Sequence, residues 1–141
     1  MDSSVAALTA YFQDYAASAT EPFAARTAAF YADSFIVGGP QGSAVFKNDE
    51  SFAVWLGQVY EANELAGLLS MSVVSVQEPV PLSAKHILVT VEWGARFRKT
   101  ADRLITFRIA YLLEGSNGQW KILSYISEKD EEEEKRNAGL L

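Results

Sequence analysis

Cysteine is missing from the sequence altogether, which removes disulfides, thiolate nucleophiles and sulfur-ligated metal sites together. Stability therefore does not require an oxidising compartment. Histidine occurs once, as His86, so neither a histidine-rich zinc site nor a cysteine–histidine pair can be assembled. Beside Lys85 at a strand start, that histidine is expected at the surface. No serine sits in a Gly-x-Ser-x-Gly elbow. The glycine-rich stretch 38–42 lacks the Lys-Ser/Thr and following helix of a phosphate loop, and reads as a hairpin turn. No metal or other cofactor is expected. Apolar runs stay well short of the roughly 18–20 residues needed to cross a bilayer. Met1-Asp2-Ser3-Ser4 carries none of the basic residues that open a secretory signal. A cytoplasmic location without a membrane partner is the expectation.

Positive charge is also scarce, with 12 Lys and Arg against 18 Asp and Glu and a net charge of −6. A protein that displaces counterions from phosphates needs a positive footprint, so nucleic acid is not an expected partner. Residues 128–136 hold six acidic and three basic side chains, half of the imbalance. They read as a solvated charge run.

What remains is a chain of single-domain size, 49% hydrophobic and rich enough in apolar side chains to bury a core. We expect one domain over residues 1–127 and a charged tail over 128–141. Val5, Leu8, Phe12, Tyr15 and Ala19 recur at helical spacing and predict a helix over 4–19. Thr20 and Pro22 restart the chain into a second helix ending near residue 32. Two short strands at 34–37 and 43–46 flank the glycine-rich turn. A third helix follows with Asn48 as its cap, Asp49 and Glu50 at its positive end, and Phe52, Trp55, Leu56, Val59 and Tyr60 on one face. Beyond Leu68 the period changes to alternation, predicting strands at 69–78, 85–98, 103–114 and 119–127. Pro79 and Pro81 break the first junction. Short connections make these strands antiparallel.

This order leaves one arrangement: a curved antiparallel sheet with the three helices on its inner face, an α+β cone. Ile87, Val89, Val91, Trp93, Ala95 and Phe97 alternate along one side of their strand. Ile105, Phe107, Ile109, Tyr111 and Leu113 do so on the next. A three-residue loop sets Trp93 opposite Ile109 and Phe97 opposite Ile105. The other side carries Glu92, Arg96, Arg108 and Leu112.

Element order, the Tyr31-Ala32-Asp33-Ser34-Phe35 transition and the Gly118-Gln119-Trp120-Lys121-Ile122 start of the final strand resemble the nuclear transport factor 2-like superfamily. More narrowly, the chain resembles SnoaL-like polyketide cyclases and ketosteroid isomerases, over roughly residues 5–128. The resemblance implies a cystatin-like α+β cone with three N-terminal helices, and frequent dimerisation through the outer sheet face. Activity does not follow from the fold. Carried over from the isomerases, the oxyanion-stabilising tyrosine falls on Tyr15. The catalytic aspartate that precedes a proline is replaced by Gly39, before Pro40. The second, protonated aspartate falls at or near Ala110. Moving a proton beside a carbonyl needs a base in reach of it, and glycine supplies none. Isomerisation by that mechanism is not expected.

The candidate ligand pocket comprises Tyr15, Tyr31, Trp55, Tyr60, Trp93, Phe107 and Tyr111, either lining a small-molecule site or filling the wide end of the cone. Glu92, Arg96, Arg108 and Leu112 are the candidate dimer surface, set against a plain solvated sheet face. Were the sheet to twist Arg96 to the cone mouth, it could clamp a carboxylate. Three readings follow. The first is a homodimer that binds an unknown small apolar or aromatic molecule. The second is a SnoaL-like enzyme, an aldol cyclase, hydratase or isomerase, using Tyr15 with Asp33 or another carboxylate. The third is a protein-interaction module.

Overall fold

The computed structural model describes residues 1–21, 24–100, 102–129 and 136. Most of the charge run at 128–136 lies outside the described residues. The elements run α1 (Val5–Ala19), α2 (Ala24–Ala28), β1 (Tyr31–Gly39), β2 (Gly42–Lys47), α3 (Glu50–Ala66), β3 (Leu68–Val76), β4 (Val80–Ser83), β5 (His86–Phe97), β6 (Ile105–Ser116) and β7 (Gln119–Ser127). A 3₁₀ turn at Arg98–Thr100 links β5 to β6.

The ends of the helices follow local chemistry. Ser4 caps α1 by accepting from the Ala7 N–H at 3.2 Å. Asp49, not Asn48, caps α3, accepting from the Ser51 N–H at 2.9 Å. Asn48 is used differently. Its amide donates to the carbonyls of Ala28 at 2.8 Å and Tyr31 at 3.2 Å, tying α2 and β1 to the start of α3. Gly67 closes α3 at φ 81°, where a side chain would be strained, and donates to Asn63 and Glu64 carbonyls.

Strands 2-1-7-6-5-3 lie side by side, with β4 pairing β5 beyond the end of β3. The sheet is mixed, which corrects the antiparallel expectation: β1 runs parallel to β7. A parallel neighbour needs a long crossover, and everything from β2 to β6 supplies it. The second helix is also shorter than its sequence suggests. Sheet pairing takes over at once, as Ile122 donates to the Phe30 carbonyl at 2.8 Å and Tyr31 pairs with Ile122. The third helix follows the β1–β2 hairpin, so only two helices precede the sheet. β4 was not expected, since it contains Pro81. It lies at the sheet margin, where a missing N–H costs little.

The β5–β6 register differs from the expected one by two residues. Trp93 faces Phe107 and Ala95 faces Ile105, because the connection between the strands is longer than three residues. An even shift leaves every side chain on its own face. Irregularities in the β1–β7, β3–β5, β4–β5 and β6–β7 pairings bend the strands locally. Leu8, Phe12 and Ala16 of α1 and Phe52 of α3 pack with Val89, Val91, Trp93, Tyr111, Leu113 and Ile122 of the sheet. Burying each large side chain contributes about 1.5–3 kcal/mol.

Candidate functional site

Toward the β5–β6 turn the packing against the sheet opens into a cavity of about 160 Å³. Its wall is built from α1 (Tyr15), α2 (Thr27), α3 (Trp55 to Asn63) and the inner face of the sheet (Trp93, Phe107, Tyr111). Tyr15, Tyr31, Trp55, Tyr60, Trp93, Phe107 and Tyr111 all line this one space. Tyr125, Leu68 and Met71 line it as well and are not singled out in the sequence, and Phe97, expected on the inner face but outside the pocket set, joins them. The available signal for Tyr125 was its pairing with Tyr111, which depends on knowing the β6–β7 register.

The cavity has a polar end and an apolar end. The hydroxyls of Tyr15 and Tyr31 share a hydrogen bond of 2.5 Å. The Trp93 indole N–H donates to the Tyr111 hydroxyl at 3.0 Å, which directs the tyrosine's own proton elsewhere. The Thr27 hydroxyl donates to Ser18, and Ser18 donates to the Tyr15 carbonyl, fixing α2 against α1. At the other end Ala95 and Phe97 form a second buried cluster with Leu68, Met71, Ile105 and Phe107.

Burial pushes the Tyr31 hydroxyl well above its ordinary pKa, and the neighbouring Tyr15, Tyr125 and Tyr111 push it further the same way. Tyr31 is therefore a neutral donor and acceptor across the physiological range. The Tyr60 hydroxyl points to the Glu64 carboxylate, which raises its pKa.

Among the described lining residues the only carboxylate is Glu21, half-exposed and paired with Arg26. Asp33, the base considered for an enzyme, is an exposed residue of β1 that does not line the cavity. Ala110 pairs with Thr90 and Ile126 on the outer face, between Ile109 and Tyr111, which turn inward. Gly39 ends β1 opposite Gly42, in the turn expected from the glycine-rich stretch. No group of three or more metal-ligating side chains occurs among the described residues.

The outer face carries the second set of candidates. Glu92 stands directly opposite Arg108, whose guanidinium also approaches Glu128 at 3.8 Å. Arg96 is an exposed residue paired with Ser70 of β3, and it does not line the cavity, so a clamp on a bound carboxylate finds no geometry here. Leu112 is half-buried within a cross-strand row that runs Val45, Ile36, Ser124, Leu112, Leu88 and Val80. Four members of that row are exposed apolar residues: Val45 at 76%, Val80 at 52%, Ile36 at 45% and Leu88 at 38%. His86 is half-exposed, bonding Ser83 through Nδ1 at 2.7 Å and Glu114 through Nε2 at 2.9 Å, which pins β4 to the β5–β6 pair.

No helix among the described residues is long and apolar enough to cross a membrane. None of the curated proteins matches the sequence. Solved structures share its fold. A cystatin-like domain of unknown function from Nostoc punctiforme is 12% identical, with 95% of this chain and 83% of that one covered and a TM-score of 0.69. A ketosteroid isomerase-like protein from Erwinia carotovora atroseptica is 20% identical over 92% and 98%, with a TM-score of 0.63. A hypothetical protein with a ketosteroid isomerase-like fold from Catenulispora acidiphila, in complex with trimethylamine, is 14% identical over 92% of each chain, with a TM-score of 0.55. Similarity at this level establishes the fold, and the sequence itself places the chain more narrowly. The model of the family described as NTF2-like protein (DUF6841) matches residues 2–130, and the chain belongs to that family.

Proposed function

We propose that this protein is a small-molecule binding domain that works as a homodimer, holding a ligand of about one ring in its cavity. The carrying observation is an aromatic-lined space of about 160 Å³ whose only described carboxylate, Glu21, is half-exposed and already paired with Arg26. Cavities near 150 Å³ accept a benzene ring when their walls are apolar, so the size suits one ring and little more. The hydroxyls of Tyr15, Tyr31 and Tyr111 would orient a single polar group, while the end around Phe97 and Ile105 takes the apolar body. An aldol cyclase, hydratase or isomerase would find hydroxyl donors in Tyr15 and Tyr31. The one described carboxylate on the wall, Glu21, is half-exposed and held by Arg26, so binding has the stronger support.

The exposed apolar row on the outer sheet face supports the dimer. Two copies related by a two-fold axis would bury Val45, Ile36 and Leu88 against the same band, with Glu92 and Arg108 available to pair across the axis. A thermal-shift and calorimetric series with phenol, p-cresol and benzaldehyde tests the pocket. A ligand present at a hundred times its Kd adds about 2.7 kcal/mol of stability. No stabilisation by any compound of this size would refute the binding reading and favour a module whose only partners are proteins.

A further inference from the structure

Nine of the 24 described residues around the cavity are aromatic, and two of them, Trp55 and Trp93, are tryptophans. Ring faces present negative potential, strongest for tryptophan, and attract a cation placed over them. The rest of the wall does nothing to oppose a positive charge. Lys129 is the only cationic side chain among the described lining residues, and it is exposed. Glu21 lies nearby on the wall. An anion would enter against the rings and meet no described cation at the buried end. A primary ammonium would have to surrender its hydration to a site with no described carboxylate at that end. A fully methylated ammonium avoids both penalties. It has no N–H to satisfy, it presents methyl groups to apolar walls, and its charge is spread over a body small enough for about 160 Å³.

We propose that the cavity selects a small quaternary ammonium cation, enclosed by Trp55, Trp93 and the surrounding tyrosine rings. The proposal rests on the binding reading above and sharpens its ligand class.

The test compares choline with 3,3-dimethylbutan-1-ol, which has the same shape but carbon in place of the charged nitrogen, with phenol as a third probe of the cavity. Calorimetry on the full chain is expected to show choline binding at least about fivefold tighter than the alcohol, the lower end of a cation–ring attraction. The N-methyl proton signal should move upfield as the rings enclose it. Trp55→Leu keeps the wall apolar and removes a ring. It should weaken choline at least about threefold while leaving the alcohol within about twofold. Should that variant fail to fold, Tyr60→Leu on the same helix reads the same difference. Equal affinities, or preference for the alcohol, would overturn the proposal and leave the pocket reading standing. So would phenol binding with neither isostere bound. If none of the three binds, both readings fall.

Discussion

Gly57 is the eighth residue of the seventeen in α3 and lies on the cavity wall between Trp55 and Val59. A glycine inside a helix costs roughly 0.5–1 kcal/mol relative to alanine, because the unfolded chain loses more freedom at that position. A Cβ placed there meets no described heavy atom within 4 Å, so nothing steric offsets the gain. Gly57→Ala should therefore stabilise the protein by about 0.5–1 kcal/mol, a rise of roughly 2–4 °C in Tm for a chain of this length. Urea unfolding measures it directly, with an unchanged m-value required for the comparison to hold. Gly57→Phe extends the test to the site. A ring in the same open space should leave the free protein no less stable than wild type and reduce the stabilisation conferred by phenol. General damage would lower both quantities, whereas occupied space lowers only the second. A destabilised Gly57→Ala protein would refute the reasoning, since it would mean that the space beside residue 57 is not open.

Further outcomes follow from other parts of the structure. Leu112→Arg puts a charge in the middle of the apolar row and should shift the protein to monomer in size-exclusion chromatography with light scattering; an unchanged mass would refute this interface. Asn48→Ala leaves the Ala28 and Tyr31 carbonyls without their amide donor, and should cost about 1–3 kcal/mol in urea unfolding. At high pH the sign is set by Tyr31, whose folded pKa lies above the value near 10 of an unfolded tyrosine. Its stabilising contribution is complete below about pH 10 and is lost as pH rises further, because the unfolded chain releases the proton first. Tyr11 acts in the same direction, raised mainly by burial and secondarily by Tyr15. Tyr31→Phe should make the alkaline decline shallower by one proton, about 1.4 kcal/mol per pH unit. Equal slopes for the two proteins would contradict the burial of that hydroxyl.

Helix α1 was legible from its own residues, since Val5, Leu8, Phe12 and Tyr15 repeat every three or four positions and Ser4 caps them. The limits of α2 were not. Residues 29–32 carry no local signal strong enough to end a helix, and the signal that does end it comes from Ile122, ninety positions away. The parallel β1–β7 pair escaped notice for the same reason. Local spacing shows which strands are hairpins and is silent on which distant strand comes to lie beside the first. The β4 strand was hidden by chemistry of its own, because Pro79 and Pro81 are breakers except at a sheet margin, where β4 lies.

The division between the two faces of β5 and β6 survived an error in their register, and the physics of the pleat explains why. Side chains alternate with period two, so a two-residue change in pairing moves Trp93 from Ile109 to Phe107 and still meets an inward ring. A one-residue error would have exchanged the cavity wall for the outer face, sending Arg108 inward and Phe107 to solvent. Trp93, Phe107 and Tyr111 could thus be gathered into one set before their contacts were known, because their membership depends on parity rather than on partner, while Tyr15, Trp55 and Tyr60 followed from the helical spacing of α1 and α3. The shortage of acid–base groups needed still less. A position that holds glycine or alanine supplies no carboxylate in any register. Asp33 is a different case, because it shares the parity of the buried Tyr31 and Phe35 and lies exposed where the β1–β7 pairing is irregular, between Tyr31 and Ile36. Parity also shows what a deliberate change of function would require. A carboxylate meant for catalysis would have to replace an inward residue such as Ile109 or Ala95, where burial would raise its pKa and keep it protonated unless a neighbouring donor stabilised the charge.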